Sequence, residues 1–159
     1  MPEDLIPSKR TINLDKHKFE VALSFPGEIR NKVEQIAIEL ERKLGPNKYF
    51  YDFNYKAQLA RPELGVFLQK IYAKQSRLVV VFFGGDYQKK DWCGIEFRAI
   101  RTLINERKRS SVMLIKIDDK PVEGINTNDG FIKLDEYSAE EIAELIRSRI
   151  ESIGKGSHL

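Results

Sequence analysis

The sequence predicts an α/β fold: a flavodoxin-like five-stranded parallel sheet, order 2-1-3-4-5, with helices on both faces. Three observations lead there. Short apolar runs alternate with stretches of helical spacing about five times along the chain, the pattern of βα units. The connections are short, and crossovers between parallel strands are right-handed. The central run, Arg77-Leu78-Val79-Val80-Val81-Phe82-Phe83, is apolar on both faces, as a strand covered by helices on two sides must be.

Taken in order, residues 1–18 are polar, carry Pro2 and Pro7, and read as a flexible N-terminal arm. Phe19 to Phe25 is a first strand ending at Pro26-Gly27. Ile29, Val33, Ile36, Ala37, Leu40 and Leu44 repeat at helical spacing, and Gly45-Pro46-Asn47 stops that helix. Tyr49 to Phe53 is an aromatic-rich second strand, and residues 54–62 read as a polar loop. Leu64, Phe67, Leu68 and Ile71 mark a second helix, before the third strand at Arg77 to Phe83. Trp92 to Arg107 is helical by spacing, and Ser111 to Ile117 is a fourth strand. Phe131 to Leu134 is a short fifth strand. A last helix runs from Ser138 to Ile150, with Ser138 as N-cap and Glu141 at the capping-box position. The domain is therefore expected over 19–151. Residues 152–159 form a polar tail, or a linker to a sensor module.

Composition removes several function classes. The net charge is +3 with both signs interspersed, which gives no electrostatic case for direct nucleic-acid binding. The single Cys fits a reducing compartment, and no apolar run approaches the roughly 20 residues of a membrane span. A cytoplasmic protein is expected. With one Cys and two His, at positions 17 and 158, neither a zinc site nor a His-based triad is expected. No phosphate-loop or dinucleotide fingerprint is present.

In the order 2-1-3-4-5, ligands bind at the carboxyl ends of the first and third strands, where the crossovers diverge. The loops meeting there are Ser24 to Arg30 and Gly84 to Trp92, with the loop after Asp52 closing a third side. Trp92 and Glu96 are four apart and share a helix face. A carboxylate in the first turn of a helix is held ionised by the dipole. One ionised acid suits cleavage of a glycosidic bond to a cationic leaving group, which departs neutral and needs no general acid. The nicotinamide–ribose bond of NAD+ is of that kind, and Trp92 and Phe25 would cover planar rings.

Ser24-Phe25-Pro26-Gly27-Glu28-Ile29-Arg30, Trp92-Cys93-Gly94-Ile95-Glu96-Phe97 and Tyr51-Asp52 together resemble the signature segments of a Toll/interleukin-1 receptor (TIR) domain. They match the kind found in bacterial and plant-like NAD-consuming proteins. The resemblance extends from about Phe19 to Ile150. It implies an NAD+ glycohydrolase, in some members also cyclising the ADP-ribose product, with NAD+ as substrate and no cofactor. It implies Glu96 as the catalytic glutamate, Trp92 and Cys93 lining the nicotinamide–ribose site, and Ser24, Phe25, Pro26 and Gly27 at the ribose and phosphates. It further implies homotypic TIR–TIR assembly, a fused or separate nucleotide-sensing module, and a role in bacterial anti-phage defence. Three departures stand out: Pro26 where many TIR domains carry an Arg or small polar residue, Gly27-Glu28-Ile29 where the continuation is commonly G-E-D, and Pro62-Glu63 where a glycine commonly precedes the helix.

Each residue also has a plainer reading. Trp92 and Phe25 are alternatively core aromatics, and Cys93 a small buried packing residue. Asp52 is alternatively a turn former. Arg30 and Arg61 either bind phosphate or are ordinary surface arginines. The alternative for the whole chain is a non-enzymatic TIR scaffold that oligomerises and recruits partner TIR domains.

Overall fold

The computed structural model describes residues 12–84, 97–107, 109–120 and 130–154. Five parallel strands, β1 (Phe19–Ser24), β2 (Tyr49–Phe50), β3 (Ser76–Phe83), β4 (Val112–Lys116) and β5 (Ile132–Lys133), form one sheet. Their order is β2-β1-β3-β4-β5, as the βα alternation predicts.

The pleat sorts the side chains of β3 between two cores. Leu78, Val80 and Phe82 face α1 (Arg30–Leu44) and α5 (Ala139–Ile153), whose Val33, Ile36, Leu40, Ile142 and Ile146 complete that layer. Val79, Val81 and Phe83 face α3 (Leu64–Lys74) and Leu103 of α4 (Phe97–Glu106). Each fully buried Val, Leu or Ile in these layers contributes about 1.5–3 kcal/mol. The crossover after β1 thus lies on one face and that after β3 on the other. This makes the β1–β3 seam the topological switch point.

The capping box of α5 is formed. Ser138 Oγ accepts from Glu141 N–H at 3.1 Å, and Glu141 Oε1 accepts from Ser138 N–H at 2.9 Å. At the other end of the fold, Arg107 stitches α3 to β3. Its guanidinium donates to the β3 carbonyls of Ser76 and Arg77 at 2.9 and 2.8 Å, and to those of Tyr72 and Ala73, acceptors that the end of α3 leaves over. Burial lowers its pKa.

Three local expectations are corrected. Residues 12–18, expected within a loose arm, lie against the domain, and Leu14 is fully buried. β2 ends at Phe50 rather than Phe53, because Asp52–Tyr55 turns into a 3-10 helix. The polar loop expected over 54–62 contains a helical turn, α2 (Lys56–Leu59), with Asn54, Tyr55 and Leu59 buried.

Candidate functional site

The carboxyl ends of β1 and β2 open onto a cleft of about 500 Å³ lined by Arg30, Asp52, Phe53, Lys56, Leu59, Ala60 and Leu64. That volume lies within the roughly 300–1,000 Å³ of small-molecule sites. β1 aims the first wall. Its last residue, Ser24, pairs with Val81 of β3, so the chain leaves β1 at the switch point. Pro26 has φ −75° and ψ 145°, which is extended. It then turns the chain through the 3-10 helix Gly27–Ile29 into α1, whose first residue is Arg30.

The second wall is built from residues 52–64. Arg30 donates to both carboxylate oxygens of Asp52, Nη1 to Oδ1 at 2.9 Å and Nη2 to Oδ2 at 2.8 Å. The same guanidinium lies 5.1 Å from the Phe25 ring centroid and 5.7 Å from that of Tyr51, a cation–π arrangement on two rings. It also donates to Tyr51 Oη at 3.3 Å. Burial pushes the Tyr51 phenol up to about 12, against the lowering effect of Arg30, so Tyr51 stays a neutral hydrogen-bonding group. Asp52 Oδ1 also accepts from Phe53 N–H at 2.8 Å. The 3-10 turn that carries Lys56 to the cleft begins here, with Asn54 N–H donating to Tyr51 C=O at 3.0 Å.

The sequence-predicted residues divide as follows. Arg30 and Asp52 come together, as a pair, and both line the cleft. Phe25 and Pro26 are buried, Phe25 within the core on the α1 face, while Gly27 is exposed. Ser24 is 1% exposed, and its Oγ has no hydrogen-bond partner among the described residues. Arg61 turns toward the N-terminal segment. Its guanidinium sits 3.7 Å over the Phe67 ring and donates to Asp15 at 3.3 Å. Trp92, Cys93 and Glu96 lie outside the described residues; the helix that follows in sequence is described from Phe97.

Phe53, Lys56, Leu59, Ala60 and Leu64 have no site role in the sequence reading, where Phe53 and Leu64 figure only as strand and helix residues. Tyr55 and Leu59 are four apart, the one periodic signal in a stretch otherwise read as loop. Lys56 Nζ stands 5.6 Å from the Phe53 ring centroid. With Arg30, Lys56 and Asp52 ionised, the lining carries one net positive charge beside apolar walls. Such a surface suits a planar ring joined to an anionic group. Among the described residues, no cluster of His, Cys, Asp or Glu could hold a metal ion. No described helix is long and apolar enough to cross a membrane.

Gly84, the residue after β3, is fixed by close approach. A Cβ there would lie 2.6 Å from Ile117 Cγ1 and 2.7 Å from Asp118 Oδ2. The backbone therefore leaves β3 tight against residues 117–118, where Ile117 N–H donates to Phe83 C=O at 2.8 Å.

No family model matches the chain. It is 33% identical over 135 residues to the 3' cyclic ADP-D-ribose synthase AaTIR of Aquimarina amphilecti, across 85% of this chain and 41% of that protein. The chain thus spans about two fifths of the length of that relative. The match thus takes in most of this chain and a minor part of that relative.

Proposed function

We propose that this chain is a TIR domain that breaks the nicotinamide–ribose bond of NAD+, with Glu96 as its catalytic carboxylate. The observation that carries the proposal is the 33% identity to a cyclic ADP-ribose synthase over 135 residues. The product named for that relative is what remains of NAD+ when nicotinamide leaves and the ADP-ribose closes on itself. The cleft supports the reading. It adjoins the switch point, combines apolar walls with Arg30 and Lys56, and has close by in the chain the Ser24 hydroxyl, which has no partner among the described residues.

In the proposed reaction the C–N bond between ribose and nicotinamide breaks. Its electron pair passes to the pyridinium nitrogen, so nicotinamide departs neutral and needs no proton. Ionised Glu96 stabilises the positive charge left on the ribose, directly or through hydrogen bonds to the ribose hydroxyls. Water then attacks to give ADP-ribose, its proton passing to solvent or Glu96. Alternatively a nucleophilic group of the same molecule attacks and gives a cyclic product. The same cation precedes both products. We further propose that the active form is a TIR–TIR assembly and that the setting is bacterial anti-phage defence, with a sensor fused or separate.

The test is NAD+ consumption by concentrated wild-type protein and by Glu96→Gln, with products resolved by mass spectrometry. Wild-type turnover with a silent variant is expected. Equal silence of the two, even when the protein is assembled on beads, would point to a scaffold that only recruits partners.

A further inference from the structure

The segment ahead of β1 contributes a restraint to the cleft. Gln58, on α2, pairs with the main chain of this segment as a second strand would. Its Nε2 donates to Ile12 C=O at 2.8 Å, and its Oε1 accepts from Leu14 N–H at 3.0 Å. From the opposite side Gln75 Nε2 donates to the carbonyls of Leu14 and His17. Leu14, fully buried, packs in the same apolar cluster as Tyr55 and Leu59. His17 Nε2 donates to Asn47 C=O, and Asn47 Oδ1 accepts from Tyr55 Oη at 2.8 Å. Asp15 takes the Arg61 guanidinium. The segment therefore holds Tyr55, Gln58 and Arg61, which bracket the cleft-lining Lys56, Leu59 and Ala60.

We propose that residues 12–18 form a strap that sets the position of the cleft wall, so that lifting the strap loosens residues 52–61. The wall lacks a regular strand or a long helix of its own. α2 is 4 residues long, too short to stand without tertiary support. Its order therefore rests on what packs against it, and that is α3 on one hand and the strap on the other. Linkage then works in both directions: a ligand that orders the wall tightens the strap, and a partner or tension that peels the strap away weakens ligand binding. This control rests on the cleft and its wall, whatever the substrate.

Hydrogen–deuterium exchange of the unliganded full chain tests the coupling, and its readout needs no substrate, so it stands apart from the NAD+ reading. Gln75 belongs to neither strap nor wall, and its side chain bonds the strap, so an effect of Gln75→Leu on the wall that leaves α3 at its wild-type rate travels through the strap. With two hydrogen bonds removed, exchange is expected to quicken about tenfold in both 12–18 and 52–61. α5 should keep its wild-type rate. Quickening confined to 12–18 would overturn the proposal, as would equal quickening in α5. Should Gln75→Leu fail to fold, Asp15→Ala at an exposed position in the middle of the strap serves. There, exchange at 58–61 should rise about threefold on loss of the Arg61 pair, and an unchanged rate overturns the coupling.

Discussion

Arg30 and Asp52 meet through two parallel hydrogen bonds of 2.9 and 2.8 Å, joining the start of α1 to the residue where β2 gives way to the cleft wall. A fork of this kind fixes direction as well as distance. It orients Asp52 so that one oxygen also accepts from Phe53 N–H. Arg30→Lys keeps the charge and removes the fork. The Arg30 side chain is 38% exposed, so screening limits the stability cost to about 1 kcal/mol, a fall in melting temperature of about 2–4 °C. Under the proposed activity, NAD+ turnover should fall further than stability, about tenfold, because the wall shifts by a fraction of an ångström. Thermal melts beside turnover rates check it. A turnover loss no larger than the unfolded fraction would reduce the pair to a structural tie.

Glu63, which leads into α3, has φ 55° and ψ 40°, the left-handed region that costs an L-residue roughly 1–2 kcal/mol. This is the region where the chain departs from the glycine common in TIR domains. Glu63→Gly should therefore raise stability by about 1 kcal/mol, the relief of strain exceeding the entropy that glycine loses on folding. A urea titration measures this as an upward shift of the midpoint at constant slope. A downward shift would mean that the Glu63 side chain makes good the strain.

These two positions show what the sequence can and cannot reveal. The central strand was legible because Leu78 to Phe83 must be apolar on both faces, and the α5 cap because Ser138 and Glu141 stand at a spacing with one mechanical use. The loops carrying Ser24 to Arg30 and Asp52 were placed at the crevice by topology alone, and Arg30 and Asp52 do meet there. The wall was not legible. Its order comes from single side-chain amides and one buried leucine, Gln58, Gln75 and Leu14, and isolated contacts leave no period to detect. β2 is shorter than its aromatic run predicts for a related reason. Tyr51 and Phe53 have strand propensity, but Arg30 captures Asp52 and the backbone turns. Trp92, Cys93 and Glu96, the residues the resemblance weights most, lie outside the described residues.

Glu144 ties α5 to itself and to α1. Hydrogen bonds from Arg147, then from Lys43, hold its carboxyl down from the ordinary 4.5 to about 2, and Lys43 Nζ reaches it at 3.2 Å. A carboxyl with a depressed folded-state pKa favours the native state fully above its unfolded value. That contribution is lost as the pH falls toward the folded value. Wild-type stability should therefore decline between pH 4.5 and about 2, and Glu144→Gln should show a shallower decline across the same window. The site is solvent-exposed, so 1 M salt should narrow the difference. Denaturation midpoints measured at several pH values decide it; parallel acid limbs for the two proteins would remove Glu144 from the account.

Ser24 separates stability from function most cleanly. Its hydroxyl is buried at the end of β1 with no partner among the described residues, and such a group destabilises the fold that encloses it. Ser24→Ala takes away the unpaired hydroxyl and little volume, so stability should hold or rise by about 1 kcal/mol. If the hydroxyl is kept to meet a ribose or phosphate oxygen, the same variant should raise the KM for NAD+ about tenfold. A more stable, weaker-binding protein would assign Ser24 to the site. A more stable protein with unchanged KM would leave its hydroxyl as an unsatisfied group with no part in binding. A less stable one would mean that the hydroxyl has a partner in the native fold.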